Sequence, residues 1–230
     1  MITLKNVTKF YKTTHGKHYV FRDINLVIPE GKSVGLIGRN GAGKSTLLRM
    51  LGGIDKPDAG EIITQKSISW PVGLSGGFQG SMTGRENAKF VCRLYAAKDE
   101  IREKLAYVQE FADMDEYFDM PVNTYSAGMR SRLAFGLSMA FDFDYYIIDE
   151  VTAVGDASFK RKSREIMREK KHKANFLMVS HNFSTIKNYC DIALLISRGG
   201  VFIHESINEA IKAYMKDEAA KNVADAHAIS

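Results

Sequence analysis

The sequence predicts an α/β fold with a parallel-sheet centre, an N-terminal antiparallel β subdomain and an inserted all-helical subdomain. Three observations point to it. Short apolar runs, "SVGLIG" (33–38), "YYIID" (145–149), "NFLMVS" (175–180) and "IALLIS" (192–197), lie among helical segments, the alternation of a parallel sheet covered by helices. The first 40 residues read as strands throughout. From about 83 to 141 the apolar residues recur at spacings of three and four, so that block is expected to be wholly helical.

Each element follows from its local pattern. "ITLKNVTK" alternates and "VFRDINLVIP" is rich in β-branched residues, giving two N-terminal strands. The run "SVGLIG" ends at glycine and leads into a helix, "KSTLLRMLGG", that Gly52-Gly53 closes. "RENAKFVCRLYAA", "DEIREKLAYVQEFA" and "AGMRSRLAFGLSMAF" supply the helices of the insertion, and the basic segment 160–173 a further helix between strands. Ser206 and Glu209 stand at capping-box spacing ahead of an amphipathic helix. A single domain over 1–218, with the helical insertion about 83–141, and a loose tail over 219–230 is the expected organisation.

At 230 residues the chain can bury a core without staples. Cys92 and Cys190 are far apart, with no CxxC spacing and no His cluster, so neither a disulfide framework nor a metal site is indicated and a reducing, cytosolic setting is expected. The N-terminus lacks the apolar core of a signal peptide, and no 18-residue apolar run exists. Net charge is +5, much of it within 160–173, a face that could meet anionic lipid or be a solvated helix. No helix-turn-helix, zinc-finger or RNA-binding signature accompanies it, so no nucleic-acid partner is expected.

The chemistry-bearing motif is "GRNGAGKST", Gly38 to Thr46, between an apolar strand and a helix. Its glycines let backbone N–H groups and the helix N-terminus face phosphates, Lys44 brings a point charge to the β- and γ-phosphates, and the Ser45 hydroxyl is placed for Mg²⁺. After "YYIID", Asp149 is placed for Mg²⁺ and Glu150 for polarising a water as general base. His181 follows "NFLMVS", where a strand's carboxyl end would deliver it to the same crevice.

In this order the motifs resemble the nucleotide-binding subunits of the ATP-binding cassette (ABC) transporter superfamily, a branch of the P-loop NTPases, over residues 1 to about 205. The resemblance implies that Tyr11 stacks on adenine and that Gly38, Arg39, Asn40, Gly41, Ala42, Gly43, Lys44, Ser45 and Thr46 hold ATP. It places Gln79, with Ser45 and Asp149, near Mg²⁺, makes Gln79, Glu150 and His181 catalytic, and sets Asp156 in the D-loop. Two stretches compete for the signature that grips ATP on the opposite subunit. "LSGGF" (74–78) has the commoner spelling but precedes the helical block. "YSAGM" (125–129) opens the helix leading to Asp149-Glu150, so Ser126, Ala127, Gly128 and Met129 are assigned the role and "GLSGGFQGS" becomes the hinge carrying Gln79. Ala127 and Met129 replace the family's usual Gly and Gln, and "AVGD" (153–156) its commoner "SALD".

"YSAGM", "TGREN" and "DEVTAVGD" resemble the polysaccharide-exporting branch, and the short stretch after His181 is similar to its capsular form. The resemblance implies an ATPase that works as a homodimer with two composite ATP sites, peripheral on the cytoplasmic face of the inner membrane. Its expected partners are a separate permease, in two copies, and periplasmic and outer-membrane export proteins. O-antigen or teichoic acid export, import, and a soluble non-transport cassette are the alternatives.

Overall fold

A computed structural model describes residues 1–230 except 74–75, 150–155, 198–199 and 229–230; the side chains of 221–228 are likewise outside the description. The chain divides into two compact units, the first Met1–Ile68, Tyr145–Glu150 and Ala174–Ser230, the second Ser69–Asp144 and Val151–Lys173.

In the first unit β1 (Ile2–Thr13) lies between β2 (Gly16–Ile28) and β4 (Ala59–Thr64), antiparallel to both. Alternation on β1 buries Ile2, Leu4 and Val7, with register Ile2↔Ile28 and Leu4↔Leu26 on the β2 side. Within this unit a second sheet runs in the order β6 (Tyr145–Asp149), β7 (Asn175–Val179), β3 (Val34–Gly38), β8 (Ile192–Ser197), β9 (Gly200–His204). Its first four strands are parallel and β9 is antiparallel to β8. The parallel strands are continuous apolar runs because both faces are covered: Leu36, Ile147, Leu177 and Leu194 are all almost wholly buried. One core joins both sheets to α1 (Lys44–Leu51) through Leu47, Leu48, Met50 and Leu51. Register Leu36↔Val179 and Asp149↔Val179 brings the carboxyl ends of β3, β7 and β6 level.

The second unit holds β5 (Ile68–Pro71) and four helices: α2 (Gly84–Tyr95), α3 (Ile101–Ala112), α4 (Ala127–Met139) and α5 (Ala157–Lys171), with 3-10 turns at Asp115–Asp119 and Val122–Thr124. Its core comprises Ala88 and Cys92 of α2, Leu105 and Val108 of α3, and Leu133 and Leu137 of α4. The basic helix α5 joins through Phe159, whose ring meets Phe111 and Phe135 edge-on at 5.8 Å. Part of its charge is used locally: Lys162 donates to Glu110 O (3.1 Å) at the end of α3, and Lys170 to Phe141 O (2.9 Å) and Asp142 (2.6 Å).

The structure adds β4, β5, β9 and α6 (Phe183–Tyr189) to the elements legible in the sequence. β4 has weak apolar alternation and is largely exposed, and α6 spans only seven residues, so neither carries a strong periodic signal. α7 runs Ile207–Ala228, with Ser206 Oγ accepting from Glu209 N (3.4 Å), so residues 219–228, expected as a loose tail, are helical. "EAAKNVADAHA" is rich in alanine, the strongest helix former.

Candidate functional site

The first unit contains a pocket of about 510 Å³ at the carboxyl ends of its parallel strands. Tyr11, Gly41, Lys44, Ser45, Asp149 and His181 are among its walls. Asn40, Gly43 and Thr46 also line it, while Gly38 ends β3 and Arg39 and Ala42 belong to the same loop.

Backbone geometry makes the loop. Gly41 (φ 77°) and Gly43 (φ 105°) take positive φ, and a Cβ on Gly43 would lie 2.5 Å from Val20 Cγ1. Ala42 N donates to Arg39 O (3.1 Å) and Leu47 N to Gly43 O (2.8 Å), closing the turn and starting α1. Lys44 folds back over the loop, its ammonium donating to Gly38 O (2.7 Å) and Arg39 O (2.9 Å). A lysine has three donors, so one remains for a ligand. Burial lowers the Lys44 pKa, and the Asp149 carboxylate partly opposes the shift.

Tyr11 comes to this pocket along β1, its hydroxyl held by Arg49 Nη2 (3.0 Å) and close to Thr46 Oγ1 (3.3 Å), its ring partly exposed. These residues suit a polyphosphate nucleotide: a cradle that a side chain at Gly43 would fill, a lysine donor to spare and an aromatic at the rim. They also suit a hard divalent cation carried with it, because the Ser45 hydroxyl and the Asp149 carboxylate are oxygen donors in one pocket. Among the described residues no cluster of three or more His, Cys, Asp or Glu forms a metal cage.

The second unit carries the remaining residues. Ser126 caps α4, its Oγ accepting from Met129 N (3.2 Å), so "YSAGM" does open a helix. Ala127 is exposed, Gly128 is half-buried with the Ser126 Oγ 3.8 Å from where a Cβ would sit, and Met129 packs into the helical core. Asp156 caps α5 through Phe159 N (2.9 Å); that bond and the Ser158 hydroxyl, the larger effect, hold its pKa down. Gln79 is exposed, its side chain within 3.4 Å of Ser81 Oγ. Glu150, Leu74, Ser75 and residues 153–155 lie outside the described residues.

One residue escaped sequence reasoning. Asn87 on α2, 5% exposed, clamps the Gln79 segment: its Oδ1 accepts from Gln79 N (2.8 Å) and its Nδ2 donates to Gln79 O (3.1 Å), Met82 O (3.3 Å) and Thr83 O (2.9 Å). "TGREN" held the signal, since each polar member has a bond. Thr83 and Glu86 form a reciprocal cap, and Arg85 grips Asp119 at 2.6 and 2.9 Å. From there the segment is stitched to the stretch just before α4: Asn123 N donates to Gly80 O (2.9 Å) and Val122 N to Met82 O (3.0 Å).

A strand–loop–helix phosphate cradle beside a parallel sheet, with a second, helical unit, defines a nucleotide-binding cassette. The sequence profile of the ABC transporter family matches residues 21–153, and the chain belongs to that family. It is 60% identical to the polysialic acid transport ATP-binding protein KpsT of Escherichia coli, over 93% of this chain and 96% of that protein. It is 43% identical to the capsule polysaccharide export ATP-binding protein CtrD of Neisseria meningitidis serogroup B, over 93% and 98%. An ATP-binding cassette solved as a dimer in a post-hydrolysis state with ADP and Pi shares the fold, with TM-score 0.73, 23% identity and coverage of 89% and 98%.

Proposed function

We propose that the chain is the ATP-hydrolysing subunit of an exporter of capsular polysaccharide, peripheral on the cytoplasmic face of the inner membrane and coupled to a separate permease. The observation that carries this reading is the pocket in which Tyr11, the Gly38–Thr46 loop, Asp149 and His181 meet, in a chain 60% identical to a polysialic acid transport ATP-binding protein. Among the described residues no helix is long and apolar enough to cross a membrane, which suits a membrane path supplied by another chain.

In this reading both units act as one nucleotide-binding domain over residues 1–218. Tyr11 stacks on the base, the N–H groups of Gly41 to Thr46 take the phosphates, and the free donor of Lys44 neutralises charge between the β- and γ-phosphates. Mg²⁺, held by Ser45, Asp149 and Gln79, offsets phosphate charge when bound. Glu150 accepts a proton from the attacking water; water oxygen bonds to the γ-phosphorus as the bond to the β-phosphate oxygen breaks, leaving ADP and phosphate. His181 and Gln79 position the water and the γ-phosphate. Two copies pair head to tail, each presenting Ser126 to Met129 at the N-terminus of α4, with Asp156 nearby, to ATP on its partner. Closure with ATP and reopening after hydrolysis drive the permease, expected in two copies, which hands the polymer on to periplasmic and outer-membrane export proteins.

The test is Glu150→Gln in the full chain with its permease. The variant is expected to bind ATP, lose turnover by about 10²-fold or more, and remain a dimer in ATP on size exclusion. In a capsulated cell it should remove surface polysaccharide and leave the polymer inside. Normal hydrolysis would overturn the role of Glu150, and a normally coated surface the assignment to export.

A further inference from the structure

The C-terminal helix touches the phosphate loop. On α7 the buried residues Ile207, Ala210 and Ile211 begin a stripe that Tyr214, Asp217 and Glu218 continue at spacings of three and four. Every member of this polar end has a partner near the nucleotide pocket. The Tyr214 ring meets Phe183 edge-on at 5.8 Å, two residues beyond His181. Asp217 Oδ2 accepts from the Ser197 hydroxyl at the end of β8, beside β3. Glu218 Oε1 lies 2.8 Å from Arg39 Nε, inside the loop itself. Arg39, Asn40, Gly41 and Ala42 face Tyr214 and Asp217 across a separate cavity of about 660 Å³.

Arg39 is the loop's hub. Its carbonyl accepts from Lys44 Nζ (2.9 Å) and from Ala42 N (3.1 Å), so the backbone position of Arg39 sets both the ammonium of Lys44 and the turn that aims the loop's N–H groups. The pair with Glu218 is electrostatic: the distance is short, but Glu218 Oε1 receives no hydrogen bond of good geometry and Arg39 Nη1 finds no acceptor. Such a contact draws the Arg39 guanidinium, and with it the start of the loop, towards α7.

We propose that Glu218 is a positioning residue for the phosphate loop: from α7 it holds Arg39, and through the Arg39 carbonyl it places Lys44. The inference rests on the reading of this loop as the ATP site. It makes the last helix, nearly 180 residues along the chain from Arg39, part of the nucleotide-binding apparatus.

Glu218→Gln keeps the shape and removes the charge. With the Arg39 side chain 42% and the Glu218 side chain 31% exposed, the pair is screened, so the ATP KM should rise about three- to fivefold at low salt with kcat within twofold. The difference should close as NaCl is raised towards 1 M, where the Debye length is about 3 Å. Glu218→Asp should restore part of the loss. Met215→Gln, at an exposed position on the same helix, should leave KM unchanged. Amide hydrogen exchange of residues 39–44 without nucleotide gives a readout independent of turnover: Glu218→Gln should exchange faster there than wild type. Equal KM and equal exchange in Glu218→Gln and wild type would overturn the proposal, as would a KM change insensitive to salt or matched by Met215→Gln. A wild-type chain that hydrolyses no ATP would sink the proposed function, while the exchange comparison would still decide whether Glu218 places the loop.

Discussion

Asn87→Ala isolates what one buried amide does for the Gln79 segment. The side chain makes four bonds to backbone, yet three of the groups it serves have a second partner: Gln79 O accepts from Met82 N (3.1 Å), Met82 O from Val122 N (3.0 Å) and Thr83 O from Asn87 N (3.0 Å). Only Gln79 N–H depends on Asn87 alone. The substitution therefore orphans one backbone donor, for a loss of about 1–3 kcal/mol rather than four times a single bond. If that energy is what holds Gln79 in its working position, kcat falls by between about fivefold and a hundredfold. The ATP KM should change little, because the phosphate loop belongs to the other compact unit. Urea unfolding measures the first quantity and steady-state hydrolysis with the permease the second. Ser81→Ala, which removes only a 3.4 Å contact from the Gln79 side chain, is the comparison and should stay close to wild type. An Asn87→Ala protein that loses stability but keeps full kcat would refute the reasoning, reducing Asn87 to a residue that folds α2.

The other predictions concern the loop and the first unit's charge network. Gly43→Ala puts a Cβ 2.5 Å from Val20 Cγ1 and 2.8 Å from Phe21 Cζ at φ 105°, so it should cost at least about 1–3 kcal/mol in urea unfolding and weaken binding of a fluorescent ATP analogue; an unchanged midpoint would remove the steric account. Lys9, nearly buried, donates to Asp55 (2.7 Å), a bond that lowers the Asp55 pKa and raises that of Lys9. The Asp55 share of stability is present above the ordinary carboxylate range near about 4 and is lost as pH falls through its depressed folded value. The Lys9 share is present below about 10.4 and is lost as pH rises through its raised value. Lys9→Met should flatten the acid limb of the stability profile; an acid limb as steep as that of wild type would show that Asp55 does not depend on Lys9.

Much of the architecture and the phosphate loop was legible in the residues themselves, because the information is local. The apolar runs that became β3, β6, β7 and β8, the three-and-four spacing of α2 to α4, and the spelling of Gly38 to Thr46 each express a preference acting within a few residues. That "YSAGM" opens a helix followed from what comes next in the chain, and Ser126 does cap α4. Tertiary structure alone decided the pairings between distant segments. Tyr11 reaches the phosphate pocket because β1 is paired on both edges in a sheet that shares its core with α1. Asn87 faces Gln79 because residues 80–82 are bonded to 122–123, and Glu218 meets Arg39 because α7 lies against β3 and β8. No periodicity announces an amide that closes on a loop or a carboxylate that meets an arginine from the far end of the chain. Such contacts depend on where whole elements come to rest, and packing of the shared core determines that.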